Sequence, residues 1–142
     1  MVEILSILLR IAGLGLILLA GLHVPIGRRL KWREEGARLT LVNASIFRVH
    51  TFFICFVLVM MGLPCLLAPS IFLENSHASN WLTWSFSVFW TVRLFFQWFV
   101  FPWELWRGKR METVVHVWFT FVWASLSVLF AVCGLWQIGW LR

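Results

Sequence analysis

The sequence predicts an all-α integral membrane protein in which four transmembrane helices form an up-down-up-down bundle with both termini on the outer side. Composition is the first reason. Hydrophobic residues make up 61% and charged residues 13% of the chain, against about 45–50% and about 25% in soluble domains. Mean hydropathy is +0.87, and so few charges would not keep a soluble domain in solution. Four long apolar runs and an uneven placement of Lys and Arg are the other two reasons.

Each apolar run is long enough to cross a bilayer, whose hydrocarbon core needs about 20 residues of helix. The first run has no basic segment before it and no A-x-A cleavage site, so we expect it to be retained as a span. Short connections between long helices place consecutive helices antiparallel. We therefore expect one membrane domain over residues 1–142, with spans over about 4–26, 44–67, 81–103 and 112–138.

The basic residues predict the orientation of these spans. Two of the three connections are rich in Lys and Arg, whereas residues 68–80 contain neither. Because cytoplasmic loops carry the excess of Lys and Arg, the two basic connections are predicted to face the cytoplasm from a cell inner membrane. The basic residues are Arg28, Arg29, Lys31, Arg33 and Arg38 in the first connection, and Arg107, Lys109 and Arg110 in the third.

The formal net charge of +6 would be typical of nucleic-acid binding in a soluble protein. Here the cations lie between apolar runs, so they indicate membrane orientation, and we expect no nucleic acid as a partner. The expected partners are the lipid bilayer and either other membrane subunits or further copies of this chain.

Ionisable and amide side chains recur near the predicted cytoplasmic end of every span, within about 15 Å of it at 1.5 Å of rise per residue. Such groups are costly in a bilayer and by default indicate a site. Arg93 lies too deep to reach the headgroups cheaply and so requires a partner, for which Gln97, a histidine and Glu104 are the candidates. The whole set is His23, Arg48, His50, Arg93, Gln97, Glu112 and His116.

Helical spacing predicts that these groups point inward. In the third span a polar face is formed by Thr83, Trp90, Arg93, Gln97 and Glu104. Small residues recur at matching intervals, which is typical of membrane helices that approach closely. The small-residue stripes are Ser6, Gly13, Ala20 and Gly27 in the first span, and Thr120, Ala124, Ser127, Ala131 and Gly134 in the fourth.

A b-type haem is the first of three functions that the polar set would serve. It needs two neutral imidazoles from different helices at equal depth, and His50 and His116 meet that description. The geometry resembles that of small membrane cytochromes b, without a shared sequence motif, and implies a redox or electron-transfer role. The predicted haem-binding residues are His50 and His116 as ligands, with Arg48, Arg93 and Gln97 around the propionates.

A single transition metal is the second function. Three imidazoles and one carboxylate suit zinc, iron or copper. The predicted ligands are His23, His50, Glu112 and His116. The last two are four residues apart and so share one face of the fourth span.

The third function belongs to a different class, a non-catalytic accessory subunit that stabilises a larger membrane complex. The 14 Phe and 11 Trp residues would face lipid, pigment or partner helices, while the polar set would only lock the bundle. Hydrolysis is disfavoured because the sequence has no Asp, no G-x-S-x-G motif and no P-loop. Transport is disfavoured because no inverted repeat is present.

Reporter fusions test the predicted orientation. Fusions at Gly36 and Gly108 should report the cytoplasm, and a fusion at Ser76 should report the outside, because only the first two positions lie in basic connections. A cytoplasmic signal at Ser76 would invert the orientation and with it the depth assigned to every polar residue.

Overall fold

The computed structural model describes residues 1–141, and every regular element in that range is helical. Four helices are long: α1 (Val2–Arg29), α3 (Leu41–Leu67), α4 (His77–Phe99) and α5 (Arg110–Gln137). The short helix α2 (Trp32–Ala37) connects α1 to α3, and 3₁₀ turns occupy Pro69–Phe72 and Trp103–Leu105. The predicted all-α class is confirmed.

Three of the long helices, α1, α3 and α5, are long and apolar enough to cross a membrane. Together they define a multi-pass membrane protein in contact with lipid. Among the helices of residues 1–141, α4 has 23 residues and is long enough, but its mean hydropathy is too low for it to be counted with these three. Its Ser, Thr and Trp residues, with Arg93 and Gln97, lower its hydropathy.

The boundaries of α4 differ from the expected span over 81–103. Helix α4 begins at His77 because Ser76 is its N-cap, whose hydroxyl accepts a hydrogen bond from the Ser79 N–H at 3.2 Å. It ends at Phe99, shortly before Pro102, since a proline disfavours helical backbone in the residue that precedes it. Glu104 therefore lies in a 3₁₀ turn and does not share the polar face of α4.

The chain divides into two compact units. The N-terminal unit is Ile7–Pro69, which holds most of α1 and all of α2 and α3. The C-terminal unit is Met1–Ser6 together with the chain from Ser70, which holds α4 and α5.

Two glycines bring α1 and α3 together in the N-terminal unit. A Cβ added to Gly13 would lie 2.6 Å from the Gly62 carbonyl oxygen and 2.7 Å from the Leu66 backbone nitrogen. Arg10 donates from Nη1 to the Leu66 carbonyl at 2.9 Å, in the same stretch. The early part of α1 thus packs backbone to backbone on the late part of α3, so the two helices are antiparallel. The close approach expected at Gly13 is confirmed.

In the C-terminal unit α4 and α5 are antiparallel along their whole length. At one end Gln137 donates from Nε2 to Thr83 Oγ1 at 3.1 Å. Three residues further along α4, the ring of Phe86 contacts that of Phe130 of α5, at 5.1 Å between centroids. A Cβ on Gly134 would lie 2.7 Å from the indole of Trp84, so the small residue is needed there too.

The α1–α3 contact predicts opposite outcomes for two neighbouring glycine substitutions. Gly13→Ala should destabilise the protein by about 1–3 kcal/mol, because the added methyl meets backbone atoms that cannot rotate away. Gly15→Ala is the matched control, because a Cβ there meets nothing within 4 Å. It should be neutral or stabilising by up to about 1 kcal/mol through helix propensity. Thermal unfolding in detergent measures both, and equal stability of the two variants would contradict the contact.

Candidate functional site

A polar and aromatic cluster lies between α4 and α5 near the Phe99 end of α4. We call it the Arg93 cluster, and its members are Arg93, Gln97, Phe101, Trp106, His116 and Trp123. Gln97 is buried, and Arg93, Trp106 and His116 are half-buried. These side chains come from both long helices and from the loop between them.

A chain of hydrogen bonds crosses the cluster through Gln97. Arg93 donates from Nη1 to Gln97 Oε1 at 3.2 Å. Gln97 Nε2 lies 2.8 Å from His116 Nδ1. Because a guanidinium has only donors, the oxygen of the Gln97 amide must face Arg93 and the NH₂ group must face His116. His116 Nδ1 is then the acceptor, so the neutral imidazole carries its proton on Nε2 and its lone pair, on Nδ1, is used by Gln97.

Aromatic faces surround the Arg93 guanidinium. It lies 5.0 Å from the ring centroid of Trp123 and 5.6 Å from that of Phe101. Such cation–π contacts are worth about 0.5–2 kcal/mol, and more when desolvated. The ion pairs found over residues 1–141 are Lys31–Glu34 and Arg38–Glu35, so the charge of Arg93 is met by an amide and two rings rather than by a carboxylate.

Trp123 is itself held in a stack. Its ring is nearly parallel to that of Trp90, at 5.1 Å and 8°, and to that of Phe119, at 5.3 Å and 16°. The indole N–H groups of Trp90 and Trp123 are buried and have no hydrogen-bond acceptor within the described chain. Burying an unpaired donor costs about 1–3 kcal/mol. Stacking and the cation offset part of this cost at the α4–α5 contact.

Trp106 covers His116 from the loop after α4. The two rings are stacked at 3.8 Å between centroids with an interplanar angle of 18°. Thr113 Oγ1 lies 2.8 Å from the Trp106 carbonyl and donates to it, which ties the loop to the first turn of α5. The imidazole of His116 is thus fixed on one face by an indole and at one edge by an amide.

His23 and His50 are bonded in a different way. Nδ1 of each ring lies 2.9 Å from the carbonyl four residues earlier, that of Leu19 for His23 and that of Ile46 for His50. A carbonyl can only accept, so Nδ1 carries the proton in both rings and Nε2 keeps its lone pair. This is the tautomer in which histidine binds metals through Nε2.

The remaining predicted site residues are exposed. Arg48 makes one long hydrogen bond, from Nη2 to Ser45 Oγ at 3.5 Å. Glu112 lies in the first turn of α5, where a carboxylate favours the helix dipole. Over residues 1–141, no group of three or more His, Cys, Asp or Glu side chains is placed to hold a metal ion.

The structure thus joins three of the predicted residues, Arg93, Gln97 and His116, and the partner expected for Arg93 is confirmed as Gln97. The aromatic members of the cluster were not predicted as site residues. Trp123 follows His116 by seven residues and so lies on the same face of α5, which is a signal that spacing carries. Trp106 lies in the loop between α4 and α5, and no spacing rule places a loop residue on His116.

Comparison of the chain with protein-family models, with curated proteins and with solved structures finds no match. We therefore infer its function from its own residues and their contacts.

The Arg93 cluster predicts a measurable loss of stability when the cation is removed. Arg93→Leu strips the donor from Gln97 Oε1 and the cation from the Trp123 face, and should cost about 1–2 kcal/mol. Arg48→Leu is the control, since Arg48 is exposed with one long hydrogen bond, and it should change stability little. Thermal unfolding in detergent compares the two. Equal melting temperatures for Arg93→Leu and the wild type would show that the cluster does not stabilise the α4–α5 pair.

Proposed function

We propose that this protein is a non-catalytic accessory subunit that stabilises a larger complex in a cell inner membrane. In this proposal α4 is a fourth span, the four spans run up, down, up and down, and both termini face outward. The observation that carries the proposal is the bonding of His116. Its Nδ1 accepts from Gln97 and its face is covered by Trp106, so its role is to join helices.

Helix α4 supports the assignment of a fourth span. Its polar face is turned toward α5, where Ser87 donates to the Ser127 carbonyl at 3.3 Å and Gln97 meets His116. Hydropathy averaged around the whole helix therefore understates how apolar its outward side is. A helix of this kind can cross a bilayer when a neighbouring helix covers its polar face.

The outward side of α4 supports a protein partner. Four large aromatic residues are exposed near the Phe99 end and touch one another, and we call them the α4 aromatic face: Phe95, Phe96, Trp98 and Phe99. Exposed apolar area alone does not drive membrane helices together, because lipid tails are equally apolar. Association therefore depends on specific packing. Rigid rings in edge-to-face and tilted contact with one another provide such packing. Helix α4, which is less apolar than the other three, gains most from a second protein neighbour.

A haem b or a single transition metal bound at His50 is the second candidate function, with a redox or electron-transfer role. The observation that favours it is the exposed imidazole of His50, whose Nδ1–H is bonded to Ile46 and whose Nε2 lone pair is available. His116, the other predicted ligand, would first have to give up its bond to Gln97.

Spectroscopy separates the two functions. The protein, expressed with ample haem and metals and purified in detergent, should be colourless and metal-free if it is an accessory subunit. A Soret band or bound metal in the wild type that His50→Ala removes and His77→Ala retains would overturn the accessory proposal in favour of the cofactor.

Variants of the α4 aromatic face test whether this face binds a partner subunit. Phe95→Ala with Phe99→Ala should shift the protein in native-gel electrophoresis of solubilised membranes from a large complex to a smaller species, at unchanged melting temperature. Phe52→Ala with Phe56→Ala is the matched control, since this stacked, exposed pair lies on α3. A wild type that migrates as a lone chain, or an equal shift for both pairs, would contradict a partner on α4.

A further inference from the structure

An open cavity of about 670 Å³ lies between α2 and the first half of α3 in the N-terminal unit. Its walls are mostly apolar, and two arginines, Arg33 and Arg48, line it together with the Thr51 hydroxyl. A volume of this size fits a drug-sized amphiphile and greatly exceeds a bare inorganic ion.

One wall of the cavity is held by an edge-to-face aromatic contact. Trp32 of α2 meets Phe47 of α3 edge to face, at 5.9 Å between centroids and 85° between planes. On its other side Trp32 packs against the end of α1, where a Cβ on Gly27 would lie 2.9 Å from the indole. The cavity is therefore built into the packing of all three helices of this unit.

Within residues 1–141 the two arginines have no carboxylate partner, because the nearby glutamates pair with other cations. Glu34 pairs with Lys31 at 3.5 Å, and Glu35 pairs with Arg38 at 3.2 Å. No carboxylate lies within 4.0 Å of Arg33 or Arg48 in the described part of the chain. The cavity thus presents two uncompensated positive charges next to apolar walls.

The position of the cavity points to lipid. It lies where the basic connection after α1 meets the start of the membrane-spanning helix α3, and Leu39 and Leu41 at its rim are exposed. Anionic lipids concentrate in the cytoplasmic leaflet, and basic pockets beside spans on that side bind their headgroups. An anionic phospholipid offers both a phosphate for the arginines and acyl chains for the apolar walls.

We propose that the α2–α3 cavity is a binding site for one anionic phospholipid, whose phosphate is held by Arg33 and Arg48 and whose acyl chains lie along Trp32 and Phe47. The site does not depend on the accessory function proposed above, but it rests on the orientation proposed there, in which the connection after α1 faces the cytoplasm. Thr51 already donates to the Phe47 carbonyl at 2.9 Å, so it is an acceptor for a headgroup hydroxyl.

Lipid-dependent thermal stabilisation of the purified full-length protein in detergent tests the site. Phosphatidylglycerol should raise the melting temperature in a saturable manner, because a ligand that binds only the folded state stabilises it. Phosphatidylcholine and inorganic phosphate should not. Equal protection by phosphatidylcholine would show that charge is not recognised, and equal protection by inorganic phosphate would assign the arginines to a soluble anion, so either result overturns the proposal.

Two charge-matched double variants localise the binding. Arg33→Gln with Arg48→Gln should weaken phosphatidylglycerol binding about 30-fold, the effect of two cations near an anionic headgroup. Arg28→Gln with Arg29→Gln removes the same charge from exposed residues that neither line the cavity nor pair with Glu34 or Glu35, and should leave binding nearly unchanged. Equal losses in the two double variants would mean diffuse electrostatic attraction and no site.

A cavity-filling variant tests the same site without a change in charge. Ala44 lines the cavity, so Ala44→Phe should occupy the space for the acyl chains and reduce phosphatidylglycerol binding at least about tenfold. Circular dichroism confirms that each variant remains helical. A folded Ala44→Phe protein that binds the lipid as well as the wild type would overturn the proposal.

Discussion

The guanidinium of Arg93 has donors and no acceptor, and this determines the direction of every hydrogen bond in the chain that runs from Arg93 through Gln97 to His116. The Gln97 amide must turn its oxygen to Arg93, which leaves its NH₂ group for His116 and makes His116 Nδ1 an acceptor. A charge placed among apolar side chains costs several kcal/mol unless it is met. Here the faces of Trp123 and Phe101 meet it without a second charge in the α4–α5 contact. One arginine thereby determines the orientation of an amide and the tautomer of a histidine.

The helices of the two units are held together by different kinds of contact. Lipid is as apolar as leucine, so membrane helices gain little from apolar contact alone and need close packing or polar bonds. Helices α1 and α3 use close packing, with Gly13 and Gly62 so near that no Cβ fits between them. Helices α4 and α5 use stacked rings at Trp90 and Trp123 with hydrogen bonds on either side. Weak hydropathy in α4 is the consequence, because residues that bond to α5 are polar.

Local rules predicted most of the fold and part of the site. Helix length, spacing and small-residue stripes predicted four long helices, the close approach at Gly13 and the Arg93–Gln97 pair, since side chains four residues apart on a helix are neighbours. The limits of α4 were not predicted, because the span was expected to begin at the apolar run from residue 81, whereas Ser76 caps the helix. The stacking of Trp106 on His116 depends on the path of a loop, which no periodicity describes.

The histidines show how neighbours decide what one residue type can do. A carbonyl four residues earlier is within reach of a histidine ring in any helix, and His23 and His50 both use it, which leaves Nε2 with a lone pair. His116 has the same kind of carbonyl behind it but bonds to Gln97 instead, because that amide can only donate toward it once Arg93 holds its oxygen. The lone pair that a haem or metal needs is therefore available at His50 and committed at His116. From the sequence the two residues are equivalent in type and predicted depth, and in the structure their different hydrogen-bond partners distinguish them.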